Sequence, residues 1–102
     1  MRRRIGILAG LAENDLEAQT RMTAFVLGLG ELGWTRGRNV QIEIRWAGAL
    51  TEDLRRFAAE LVRRTPDVLM ATGGASLGPL VEVTQTIPIV FAPDRLLPFR
   101  LR

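Results

Sequence analysis

The sequence predicts an open, doubly wound α/β sheet in the order β-α-β-α-β-α-β, and three observations carry that prediction. Short apolar runs of strand length alternate with longer amphipathic segments along the chain. One run alternates apolar with polar residues while the others are apolar through their middles, as an edge strand and central strands of a parallel sheet would differ. Capping and stop residues fall between the runs, where helices have to begin and end. Right-handed crossovers then give the strand order 2-1-3-4, with the first and third strands central.

The first strand is read over Arg4-Ile5-Gly6-Ile7-Leu8-Ala9, a continuous apolar segment. Asn14 or Asp15 offers a side-chain oxygen to the free N–H groups of the helix that follows, with Glu17 in its first turn. Met22, Phe25, Val26, Leu29 and Leu32 repeat at the 3–4 spacing of one buried stripe, and Gly33 ends it. Gly28 and Gly30 lie within that stripe, and close packing on the sheet is the expected reason. After a turn over residues 34–39, Val40, Ile42, Ile44 and Trp46 alternate with Gln41, Glu43 and Arg45, an edge strand with one exposed face. Glu43 and Arg45 then read as a solvated ion pair. Trp34 is expected to staple the end of the preceding helix, and Trp46 to pack on its strand's apolar face.

Thr51 is the expected cap of the second helix, whose buried face is Leu54, Phe57, Ala58, Leu61 and Val62 and whose continuation Pro66 forbids. Asp67–Thr72 is the third strand, Leu77–Gln85 a short third helix, and Ile87–Ala92 the fourth strand. The chain is thus one α/β lobe over residues 1–93 with an irregular tail over 94–102. There is room for a single domain in 102 residues.

Composition narrows the chemistry. The formal charge is +3, but Arg2, Arg3, Arg4, Arg100 and Arg102 sit at the two ends and most other basic residues alternate with acids, so no nucleic-acid partner is expected. All 14 basic residues are arginine. Without cysteine there are no disulfides and no thiolate chemistry. Without histidine the commonest general base and zinc ligand are missing, and without lysine no Walker loop is possible. No cofactor, no metal and no enzymatic activity are expected. Met1-Arg2-Arg3-Arg4 before an apolar run imitates a signal peptide, but the fit of residues 4–9 to a first strand is the better reading.

In such a sheet a ligand binds beyond the carboxyl ends of the strands, where the strand order reverses. The loop Thr72-Gly73-Gly74-Ala75-Ser76 is the richer of the two at that point. Two glycines let backbone N–H groups approach an anion, and the hydroxyls of Thr72 and Ser76 can add hydrogen bonds. The alternative stays open that Gly73 and Gly74 only make a tight turn while Ser76 caps the helix. Asp94, after the fourth strand, can hold a substrate amine or a metal, or merely form a turn.

The run Phe25 to Ala47, with its segment Glu31-Leu32-Gly33-Trp34-Thr35-Arg36-Gly37-Arg38-Asn39-Val40, resembles a signature of ABC-transporter substrate-binding proteins, the family that includes predicted tryptophan and tyrosine binders. The likeness continues through residues 54–67, Val68–Gly74 and Thr86–Phe91. It implies part of the N-terminal lobe of a periplasmic-binding-protein type I fold, apparently truncated. It further implies a small, amino-acid-like solute as ligand and an ABC permease as partner, outside the cytoplasmic membrane, although a cytoplasmic place is also open. The matching positions are Ala9 and Gly10 after the first strand, Thr72, Gly73, Gly74 and Ser76 after the third, and Ala92 and Asp94 after the fourth. The first loop lacks the hydroxyls usual in that family.

Two further readings stand beside this one. A fourth strand left bare beside Leu96, Leu97 and Phe99 would make the chain a homo-oligomer and a self-associating interaction module without a transport role. A flavodoxin-like enzyme or signalling domain is disfavoured by the missing histidine, cysteine, lysine and phosphate loop.

Overall fold

The structure, a computed structural model, describes residues 3–48, 50–72, 76–92 and 100–101. Its elements are β1 (Arg3–Ala9), α1 (Leu16–Glu31), β2 (Val40–Trp46), α2 (Thr51–Arg63), β3 (Val68–Thr72), α3 (Leu77–Val83), β4 (Ile89–Ala92) and β5 (Arg100–Leu101). The sheet order is β2-β1-β3-β4-β5. Its first four strands are parallel and in the predicted order 2-1-3-4. β5 is an addition: two residues of the tail read as irregular pair antiparallel with Val90 and Phe91. The outer edge of β4 is therefore partly occupied rather than bare. Leu96, Leu97 and Phe99 lie outside the described residues.

The helices divide between the faces. α2 and α3 cover one side, over Leu8, Leu69, Ala71 and Ile89, with Leu54, Ala58, Leu61 and Leu80 packed down from the helices. α1 covers the other, where Met22 packs with Ile7, Val40, Ile42 and Met70, and Phe25, Val26, Leu29 and Trp46 lie half-buried around them. Alternation along β1 sends Ile7 to the α1 side and Leu8 to the α2 side. Gly6 faces α2 closely: a Cβ there would stand 3.0 Å from Leu69 Cδ2 and 3.3 Å from Leu61 Cδ2.

Several local expectations are corrected. Leu32 leaves the stripe and is 77% exposed, because α1 ends at Glu31 and Gly33 turns the chain away at φ +93°. Gly28 and Gly30 pack against nothing, since a Cβ at either would meet no atom within 4 Å. Asp15, not Asn14, caps α1, its carboxylate accepting from the N–H groups of Glu17 at 2.9 Å and Ala18 at 3.2 Å. Thr51 lies inside α2, and Leu50 precedes it without a side-chain cap. α2 ends into Thr65, which takes the left-handed conformation at φ 50° before the buried Pro66. α3 stops two residues short of Gln85.

The polar face of β2 is not simply solvated. Glu43 accepts from Arg64, Arg45 lies 3.5 Å from Glu43, and Arg45 reaches Glu60 at 3.2 Å. These four half-exposed side chains lace β2 to the flank of α2, where each pair is worth about 1 kcal/mol or less.

Candidate functional site

The parallel register sets the carboxyl ends of the four strands in one row. Ala9 stands beside Trp46 on one side and Thr72 on the other, and Thr72 stands beside Ala92. Three of the residues expected at a ligand site, Ala9, Thr72 and Ala92, are thus the last row of the sheet. They follow from strand length: each is the final paired residue before its loop. Ala9 is fully buried and Thr72 nearly so.

Gly10 begins the loop after β1 directly above this row. Its N–H donates to the Thr72 carbonyl at 2.7 Å, which closes the first loop onto the third strand. From the other side the Ala47 N–H donates to the Ala9 carbonyl at 2.9 Å and the Gly48 N–H to the Leu11 carbonyl at 3.2 Å. The loops after β1 and β2 and the last residue of β3 therefore share one hydrogen-bonded strip at the edge of the sheet.

Ser76 is wholly buried, and its hydroxyl donates to the same Thr72 carbonyl at 2.9 Å. It makes no side-chain cap on α3. That carbonyl takes two donors and holds the start of α3 against the end of β3. Gly73, Gly74 and Asp94 lie outside the described residues.

The residue types around this end are acidic. α1 and α2 begin here, and Glu13, Asp15, Glu17, Glu52 and Asp53 cluster at their N-termini. Asp15 is occupied by capping, Glu17 pairs with Arg21, and Asp53 pairs with Arg56 at 3.0 Å. A rim of carboxylates at helix N-termini stabilises the helices and lowers the local potential, which suits an ammonium group. Of these acids the sequence reading assigns Asp15 and Glu17, and those only to a helix start. Trp46, assigned to packing, does pack on the α1 side and also stands in the last row beside Ala9. Among the described residues no three or more Asp or Glu side chains come together as a metal site. A cavity of about 270 Å³ lined by Val81, Thr84, Gln85, Ile87 and Ile89 lies by the start of β4, away from this row.

The sheet, with its four parallel strands in the order 2-1-3-4, superposes on part of a substrate-binding protein, as the sequence resemblance implied. Solved structures carry the likeness. A conserved domain protein from Vibrio cholerae O1 biovar El Tor superposes with a TM-score of 0.80 at 26% identity, over 89% of this chain and 30% of that one. The ligand-free, open structure of a substrate-binding protein with adhesive properties from Clostridium difficile gives 0.79 at 25% identity, over 89% and 30%. An ABC domain in complex with L-Trp from Streptococcus pneumoniae gives 0.80 over 90% and 30%, and at 17% identity it shows the fold alone. The chain spans 30% of the length of each of these structures. No protein-family model and no curated protein matches it.

Proposed function

We infer that the chain serves as a solute-binding module of an ABC-type uptake system, outside the cytoplasmic membrane, taking a small amino-acid-like solute at the carboxyl ends of β1 and β3. The supporting observation is the terminal row Trp46-Ala9-Thr72-Ala92 with Gly10 closed over it, at the point where the crossovers reverse direction. Two structural neighbours bear on the ligand class, one a substrate-binding protein and one holding L-Trp. The role of each expected residue follows. Ala9 and Ala92 end their strands beneath the ligand, Gly10 adds no side chain above them, and the N–H groups of Gly73 and Gly74 take the ligand's carboxylate. The Ser76 hydroxyl holds the start of α3 through the Thr72 carbonyl, the Thr72 hydroxyl offers the ligand a hydrogen bond, and Asp94 receives the ammonium. The delivery partner would be an ABC permease. Binding rather than catalysis also accords with a sequence lacking histidine, cysteine and lysine.

The test is a thermal-shift screen of the chain against amino acids, small carboxylates and nucleobases, repeated with Thr72→Val, which keeps the volume and removes the hydroxyl. A saturable rise in Tm with an amino acid that Thr72→Val diminishes supports the reading. A flat screen on a folded chain sinks it.

A second reading has its own observation. Among the described residues, β5 pairs with Val90 and Phe91 of the four in β4. A homo-oligomer formed through the β4 edge and the tail would use the rest of that edge. Light scattering on a size-exclusion column decides it: a monomer at all concentrations removes this reading.

A further inference from the structure

The amino end of the sheet carries a surface that a solute site at the other end does not use. β1 opens on Arg3 and Arg4, the loop before β2 holds Arg36 and Arg38, and α2 closes into Arg63 and Arg64. These six arginines are far apart in sequence and all are exposed. Hydrogen bonds make them neighbours. The Arg3 N–H donates to the Asn39 carbonyl at 3.0 Å, and Arg4 Nη1 donates to the Arg64 carbonyl at 3.1 Å. Asn39 also holds the loop in shape, accepting from the Thr35 N–H and donating to the Gly33 carbonyl, each at 2.8 Å. The carboxylates facing the group are Asp67, 3.8 Å from Arg3, Glu31 at the end of α1, and Glu43, which reaches Arg64 from the middle of β2. Cations stay in excess at this pole.

A second observation is independent of charge. The same loop exposes Leu32 at 77% and Trp34 at 36%, four and two residues before Arg36. Their backbones are tied to α1: the N–H groups of Leu32 and Trp34 both donate to the Leu29 carbonyl, at 3.0 and 2.8 Å. The two apolar side chains are thus presented beside the arginines on a pinned turn.

We propose that this pole is a docking surface for an anionic phospholipid bilayer. The arginine guanidinium groups engage lipid phosphates, and Leu32 and Trp34 enter the interfacial layer. Guanidinium groups match phosphate oxygens bidentately, and an anionic leaflet attracts basic residues with about a fivefold gain in affinity each. Tryptophan favours the headgroup level, and an adjacent leucine adds apolar area that water otherwise covers. A nucleic acid would stack on Trp34 yet leave Leu32 exposed, so the bilayer accounts for both residues. Docked in this way, the carboxyl-end row faces away from the lipid and stays open.

The full chain is incubated with vesicles of phosphatidylcholine alone and of an equal mixture with phosphatidylglycerol, then separated by flotation. Flotation with the anionic vesicles only, weakened by salt, is expected. Brominated lipid in those vesicles should quench tryptophan emission in the unaltered chain, and Trp34→Phe, which leaves Trp46, should abolish the quenching. Arg36→Glu with Arg38→Glu should lower vesicle affinity more than tenfold with the circular dichroism unchanged, while Arg55→Glu, on the outer side of α2, leaves it within twofold. Equal flotation with neutral vesicles would overturn the proposal. So would absent flotation, or anionic-vesicle binding without tryptophan quenching, or retention on RNA in place of vesicles.

Discussion

Under α2 and α3 the sheet buries Leu8, Leu61, Leu69 and Leu80 at 1% exposure or less, whereas under α1 the buried Met22 and Ile7 are ringed by half-buried Phe25, Val26, Leu29 and Trp46. The two faces belong to the same strands and differ in cover: two helices against one. Leucine and alanine interlock on the first face, and Gly6 is needed there because Leu61 and Leu69 already fill the space of a Cβ. On the second face α1 carries glycines that nothing presses on. A sheet can thus be close-packed on one side and loosely roofed on the other, and equal substitutions should weigh differently on the two.

The largest contrast is expected from one substitution made twice. Leu61→Ala should cost about 3–4 kcal/mol in urea unfolding, and Leu29→Ala about 1–2 kcal/mol. Equal losses would break the comparison. Next, Gly6→Ala should destabilise by about 2 kcal/mol, because both neighbouring leucines are buried and cannot swing clear; an unchanged Tm would mean that the closed face yields. Asp15→Ala removes the acceptor of two helix N–H groups and should cost about 1 kcal/mol, read as faster amide exchange in the first turn of α1. The smallest effect has the opposite sign. Gly28→Ala, in open space on α1, should stabilise by roughly 0.5–1 kcal/mol, and a loss there would show that the α1 side is tighter than its geometry.

Much of this architecture was legible in sequence, because a period of two against a period of 3.6 separates strands from helices without any tertiary information. Strand order followed from the contrast between the alternating Val40–Trp46 and the continuous runs Arg4–Ala9 and Val68–Ala71. The ends of elements were read less well. Leu32 continues the apolar rhythm of α1, yet one residue later Gly33 rotates the chain, and rhythm alone does not say on which residue the turn acts. Thr65 adopts a left-handed conformation that sequence rules assign to glycine or asparagine, with its N–H bonded back to the Val62 carbonyl at 3.0 Å. Glycine was read as a mark of close packing at 28 and 30, whereas Gly6 is the position that shows it.

At the strand ends, Ala9, Thr72 and Ala92 were found because they close their apolar runs, and register then brings them side by side. The acidic rim and the arginine pole were not found. Their members are spread from Arg3 to Arg64, and only the parallel crossovers gather the starts of helices at one end and their finishes at the other. The same geometry explains β5, since a two-residue antiparallel pairing leaves no periodicity to read.

The strip Gly10–Thr72, Ala47–Ala9 and Gly48–Leu11 ties the loops after β1 and β2 and the end of β3 in series across the top of the sheet. Each bond is made by an amide proton that nuclear magnetic resonance can follow singly. A molecule settling on one loop must stretch or shorten the bonds of the next, so the chemical shifts of Gly10, Ala47 and Gly48 should move together. The strip is in effect a built-in gauge, and it reads any occupant of that end of the sheet without a label on the molecule itself.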